Sequence, residues 1–199
     1  ILGEQTEQYV QGYFVYDSRK AGAVTVSHLR FGPRPIHSTY LIRRASFIAS
    51  SQFHFLERMD LFALAEPGAT VLLNSPHDAA SVWDRMPREA QEAILAQGLR
   101  LFVVDASRVA SEAGLGGRIN TVMQTCFFAL SGVLPRERAV EEIKRSIRET
   151  YGKRGAGVVE KNFAAVDGAL AALQQVRIPA RATSELHRLP PVPSIAPAF

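Results

Sequence analysis

Apolar positions follow two rhythms along this chain. Near the start they alternate with polar residues or crowd into short runs; farther on, helical stripes alternate with such runs. Residues 13–16 and 23–31 read as strands. In the second, Val24, Val26 and His28 fall on one face and Ala23, Thr25, Ser27 and Leu29 on the other, because strand side chains alternate. Arg30, Phe31 and Gly32 follow, and Pro33 and Pro35 end the strand. Residues 40–49, YLIRRASFIA, are apolar enough for a buried strand. Residues 56–65 read as a short helix, stopped by Glu66-Pro67-Gly68.

Two unbroken apolar runs come next, 69–74 (ATVLLN) and 99–105 (LRLFVVD). Buried parallel strands read this way. Between them the spacing predicts a helix over 87–97, with Gly98 as its stop. Strand, helix and strand in succession argue for an α/β fold with a parallel sheet. Further helices are predicted over 107–113, 119–130, 136–151 and 158–173. The 119–130 helix is almost wholly apolar and is expected to lie buried against the sheet. The last two carry the stripes Val140, Ile143, Ile147 and Val159, Phe163, Val166, Leu170. From Gln174 the composition shifts, and five prolines from Pro179 to Pro197 break any periodicity. The expected organisation is therefore one domain over 1–178, with an N-terminal β-hairpin, and a Pro-rich linker or extended arm over 179–199.

Composition narrows the function classes. With 199 residues, 47% hydrophobic, the chain can bury a real core. A net charge of +4 is mild, and no aromatic-basic stripe accompanies it, so nucleic acid is not an expected partner. No run of about 18 apolar residues is present, so no membrane helix is expected. The single cysteine, Cys126, rules out an internal disulfide and any multi-cysteine metal or iron–sulfur site within these residues. It lies mid-helix among Phe127 and Phe128 and reads as a buried, inert thiol. This usage fits a reducing cytoplasm, the expected location.

Several polar positions are candidates for binding. Lys20 and Gly22 stand in a basic turn that either holds an anion or is simply solvated. Ser27 and Arg30 come near a strand end, where Arg30 either clamps a phosphate or carboxylate in bidentate fashion or pairs with a carboxylate of the protein. Asn74 closes a predicted buried strand, a position that faces the crevice in doubly wound sheets and equally suits a turn asparagine. Gly117, Arg118 and Asn120 lie in a glycine-rich entry to a helix. Such an entry is either an anion site built from backbone N–H groups or a tight packing loop. The spacing is neither that of a P-loop nor of a dinucleotide fingerprint. No residue stands out as catalytic, and the histidines show no metal-ligand spacing.

Five ordered blocks together carry a resemblance: YFVYDSRKAGAVTVSHLRFGPRPIHSTYLI, LLNSP, GGRINTVMQTCFFALSGVLPRERA, TYGKRG and KNFAAVDGAL. From about Gln8 to about Pro179 the chain resembles the gamma-type domain of pyruvate:ferredoxin (flavodoxin) oxidoreductases, in their single-chain, many-domain form more than as separate gamma subunits. The resemblance implies a Rossmann-like, mostly parallel sheet flanked by helices. It implies membership of an enzyme that oxidatively decarboxylates pyruvate with coenzyme A, sending electrons to ferredoxin or flavodoxin. Thiamine diphosphate with Mg and iron–sulfur clusters belong to the whole enzyme and lie in its other domains. The expected partners are those other domains or subunits, coenzyme A and the electron carrier, in a homo-oligomeric whole enzyme.

The gamma-type domain is associated with the coenzyme A side. By position, Lys20, Gly22, Ser27, Arg30, Asn74, Gly117, Arg118 and Asn120 become its crevice candidates. Two departures follow. The family's domain opens with a strand and a Gly-Ser-Asp-Gly-type loop, which this sequence lacks, and the thiamine and cluster motifs are absent as well. Since it starts at Ile1 rather than Met, the sequence is expected to be a piece of a longer polypeptide, inactive alone. The alternative is a purely structural packing module of the same complex, or the same domain in an enzyme for another 2-oxoacid.

Overall fold

A computed structural model describes residues 8–16, 24–37 and 40–190. Its contacts divide the chain into two compact units, Ile1–Arg43 and Arg44–Phe199.

The first unit is built on one antiparallel pair, β1 (Tyr9–Tyr16) and β2 (Thr25–Gly32). Gln11 lies opposite Arg30, Tyr13 opposite His28 and Phe14 opposite Ser27. Directly opposed residues share a face, so one face presents Gln11, Tyr13, His28 and Arg30. The other presents Val10, Phe14, Ser27, Leu29 and Phe31. On the first face Tyr13 stacks flat on His28 at 4.7 Å, and the Ile42 N–H donates to the Tyr13 hydroxyl.

The second unit is a four-stranded sheet in the order β3-β4-β5-β6. β3 (Ala45–Ser50), β4 (Ala65–Asn74) and β5 (Arg100–Val104) are mutually parallel, and the short β6 (Gln174–Gln175) runs antiparallel to β5. Alternation along the two central strands sorts the core into two layers. Val71, Leu73, Leu101 and Val103 meet Trp83, Met86 and Ile94 on one side. These last residues come from the crossover between β4 and β5, which includes α1 (Arg88–Gln97). Leu72 and Val104 meet the opposite layer. That layer is built from α2 (Ala106–Glu112), α3 (Asn120–Ser131) and α5 (Ala156–Ala172), with α4 (Arg136–Tyr151) packed on α3 and α5. The predicted α/β fold, with its mostly parallel sheet and N-terminal hairpin, is what forms.

Three expectations need correction. No α-helix covers 56–65: a 3₁₀ turn occupies Phe53–Glu57, and β4 already begins at Ala65. Ala45 pairs with Ala65 but Phe47 with Thr70, so β4 advances five residues while β3 advances two. Pro67, with no N–H to donate, and Gly68, at φ +76°, form this irregularity inside a strand instead of ending a helix. Second, the strand predicted over 40–49 is shortened to Ala45–Ser50; Tyr40 and Leu41 are exposed. Third, α5 buries Asn162, Ala165, Val166 and Ala169 where a stripe of larger residues was expected. Small side chains face the sheet layer because the helices approach closely: a Cβ on Gly168 would stand 3.1 Å from Val109 Cγ1. Phe163 turns instead beneath the cations of Arg148 and Lys144, at 4.9 and 5.5 Å.

Beyond β6 the chain is extended but not loose. Val176 and Ser184 are buried, and the backbone of Leu186 accepts from the Arg88 N–H at the start of α1.

Candidate functional site

The carboxyl ends of the parallel strands converge on a row of polar residues: Ser50, then Asn74-Ser75, then Asp105. Ser50 and Ser75 are both buried, and each hydroxyl donates to the carbonyl two residues on, at 2.9 Å. These local turns bend the chain out of the sheet. Asn74 sits between them and stitches the edge together. Its Nδ2 donates to the Ser51 carbonyl at 3.0 Å, and its Oδ1 accepts from the Ala106 N–H, the first of α2, at 3.0 Å. Asp105 caps the same helix by accepting from the Arg108 N–H at 2.9 Å.

A small open depression of about 120 Å³ lies at this edge, with His77, Asp78, Asp105, Arg108 and Gln174 among its walls. Hydrogen bonds from the Ser81 hydroxyl and backbone hold the Asp78 carboxyl below its usual range. Arg108 is tied to Asp105 and Glu112.

The glycine-rich entry to α3 is a second polar cluster. Gly114 and Gly116 take φ +74° and +61°, which turns the chain and seats the buried Leu115. The Leu115 carbonyl accepts from both the backbone N–H and the Nε of Arg118, at 3.4 and 3.2 Å. Ile119 precedes the helix without a side-chain cap, so the first N–H groups of α3 meet no side-chain acceptor from that position. Gly117, Arg118 and Asn120 are exposed there together. An anion would find backbone donors, a helix N-terminus and a guanidinium within one turn of chain.

The remaining predicted residues stand apart. Arg30 donates to Gln11 Oε1 at 2.9 Å and to the Tyr40 carbonyl at 2.6 Å, and lies 4.7 Å from the Tyr40 ring centroid. Among the described residues its partners are an amide, a carbonyl and the rings of Tyr40 and Tyr13, not a carboxylate. Ser27 lies three positions before Arg30 in β2, so the two point to opposite faces of the strand pair and do not form a joint clamp. Lys20 and Gly22 lie outside the described residues. Among the described residues no hydrogen bond joins Asn74 to the Gly117–Asn120 cluster.

Two structural sets were missed by sequence reasoning. Gln91 is fully buried on α1: its Nε2 donates to the Trp83 carbonyl at 2.6 Å, and its Oε1 accepts from Thr183 and Ser184 N–H at 2.8 and 2.9 Å. The signal was a polar residue inside an apolar stripe. Thr121 donates to Asn162 Oδ1 at 2.9 Å, joining α3 to α5. Cys126 is buried under the same helices, which pushes its thiol up to about 12. Among the described residues there is no group of three metal-ligating side chains, and no helix long and apolar enough to cross a membrane.

With this geometry in view, the comparisons with known proteins decide the family. The pattern of the pyruvate ferredoxin/flavodoxin oxidoreductase family matches residues 3–172. The chain belongs to that family. It is 55% identical over 200 residues to the pyruvate-flavodoxin oxidoreductase of Rhodospirillum rubrum, an alignment that takes in all of this chain and 17% of the relative. The chain thus spans about a sixth of the length of such relatives.

In fold it is similar to pyruvate oxidoreductase subunit PORC from Thermotoga maritima, with a TM-score of 0.62 at 17% identity, covering 85% of this chain and 83% of that one. It is also similar to the 2-oxoglutarate:ferredoxin oxidoreductase from Magnetococcus marinus, solved with 2-oxoglutarate, coenzyme A and succinyl-CoA bound. There the TM-score is 0.54 at 15% identity, covering 92% of this chain and 28% of that one. The gamma-type resemblance read from the sequence is met, and the oxidoreductase family with it.

Proposed function

We propose that this chain works as the gamma-type domain of a pyruvate:flavodoxin or pyruvate:ferredoxin oxidoreductase, on the coenzyme A side of its reaction. The whole enzyme converts pyruvate and coenzyme A to acetyl-CoA and CO2, releasing one proton and two electrons to the carrier. The carrying observation is the 55% identity, along the full chain, to a pyruvate-flavodoxin oxidoreductase. The coenzyme A assignment draws support from the glycine-rich entry to α3. Arg118 and the N–H groups of the first turn of α3, which Ile119 does not cap, match the phosphates of coenzyme A in charge and donor chemistry.

Mg and iron–sulfur clusters do not fit these residues. One cysteine is present, buried, and among the described residues no metal-ligating cluster exists. That chemistry falls to other domains, and this chain's share is to bind and position. Asn74 acts here as a positioning residue, holding the sheet edge and α2 in register. The setting we propose is a cytoplasmic homo-oligomer.

The test uses the full-length oxidoreductase with Arg118→Ala. The Michaelis constant for coenzyme A is expected to rise several-fold, while hydroxyethyl-thiamine formation from pyruvate alone stays at the wild-type rate. An unchanged Michaelis constant rejects Arg118 as a coenzyme A contact. A wild-type enzyme that oxidises another 2-oxoacid in preference rejects pyruvate. A second reading, a packing module, is favoured by one observation: the polar groups of Arg30 and Asn74 are spent on protein partners. On that reading substitutions at both would alter the size-exclusion profile and leave coenzyme A kinetics untouched.

A further inference from the structure

The pair β1–β2 exposes large apolar side chains on both faces, Tyr9, Val15 and Val26 on the one that carries Arg30 and a larger set on the other. On the face that carries Arg30, residues 40–42 lie across the strands through the Tyr40 carbonyl and the Ile42 N–H. On the opposite face Val10, Phe14, Tyr16 and Leu29 are 43%, 57%, 70% and 51% exposed. The paired positions between them add Gly12, Thr25, Ser27 and Phe31, so no charged side chain stands at the paired positions of this face.

A two-stranded ribbon is marginal in water on its own. One that leaves four large apolar side chains in solvent needs a covering surface. Because the ribbon's own order depends on that cover, the cover must be there continuously. A diffusing electron carrier is there only briefly, and its encounters are steered by charge, which this face lacks. A continuous neighbour is available: in the relatives that this chain matches along its whole length, about five-sixths of the polypeptide lies outside the matched region.

We propose that the Val10, Phe14, Tyr16 and Leu29 face docks an uncharged, apolar surface of another domain of the same oxidoreductase, outside residues 1–199. This rests on the reading of the chain as one domain of such an enzyme. Gly12 lies under this face: a Cβ there would meet Leu29 Cδ2 at 3.1 Å, close enough that the leucine side chain would have to give by a few tenths of an ångström.

The experiment places p-benzoylphenylalanine at position 14, and separately at position 29, in the full-length oxidoreductase, with irradiation and peptide mapping by mass spectrometry. Cross-links are expected from both probes to residues of the same enzyme outside this segment, in the same or a neighbouring protomer, with a yield unchanged on tenfold dilution and without the carrier. Links to residues 44–190, to the same strands in a second copy or to flavodoxin or ferredoxin, or no link from either probe, would overturn the docking. Pyruvate-dependent flavodoxin reduction by the wild-type enzyme is measured in parallel. Failure of that assay counts against the functional reading, whereas the docking is decided by the cross-links alone.

Discussion

Gln91→Leu isolates the device that fastens the C-terminal arm. Leucine is close in size and keeps the apolar packing of α1, while removing one hydrogen bond to the Trp83 carbonyl and two from Thr183 and Ser184 N–H. Only the two bonds from Thr183 and Ser184 break when the arm lifts, and at a net value of about 1 kcal/mol each they give about 2 kcal/mol. The arm amides regain water when it lifts, which sets a lower bound near 1 kcal/mol. At 1.36 kcal/mol per decade this is roughly a 5- to 30-fold larger opening constant for the arm. Hydrogen exchange by mass spectrometry on the full-length protein reads it directly, in peptides covering 176–190. Protection there is expected to fall by that factor while β5 (Arg100–Val104) keeps its own. A change under about threefold in the arm would refute the reasoning, and so would an equal loss in β5, which would make the effect global.

Three further outcomes follow from other contacts. Glu89 accepts from His187 and from the Arg188 N–H at 2.9 Å each, and these bonds, His187 first, bring its carboxyl down to about 2. A carboxyl lowered by folding stabilises above its unfolded value and loses that contribution as pH falls. Arm protection should therefore decline between about pH 4.5 and 2, modestly because the pair is exposed, and Glu89→Gln should flatten that decline. Asn74→Ala leaves the Ser51 carbonyl and the Ala106 N–H without their partner; a loss of about 1–3 kcal/mol is expected as a lower thermal-inactivation midpoint, with Asn74→Asp restoring only the bond to Ala106. Cys126, buried with its thiol pushed up to about 12, should resist iodoacetamide in the native protein and react only on unfolding.

The βαβ stretch over 69–105 was legible because local signals agree there. Two unbroken apolar runs are too short for helices, and Gly98, which takes φ +60°, marks the helix end between them. Pro67-Gly68 misled because the same two residues suit a helix stop and a strand irregularity; only pairing with β3 decides between them. In α5 the period was right and the phase was not. Which side faces the sheet depends on how closely α2 approaches Gly168, and sequence spacing does not carry that distance. The site divides the same way. The glycine entry to α3 is local and was visible, whereas the partners of Arg30 are set by strand register and a segment ten residues away. Asn74 was placed correctly at its strand end, but its two partners come from the ends of other elements.

The proposed role on the coenzyme A side requires coenzyme A to touch this chain. The most direct measurement is hydrogen exchange of the full-length oxidoreductase with and without saturating coenzyme A. Slower exchange is predicted in the peptide covering 114–122, the glycine entry and first turn of α3. If coenzyme A protects amides elsewhere in the enzyme and none between residues 8 and 190, the coenzyme A side of the reaction lies outside this chain.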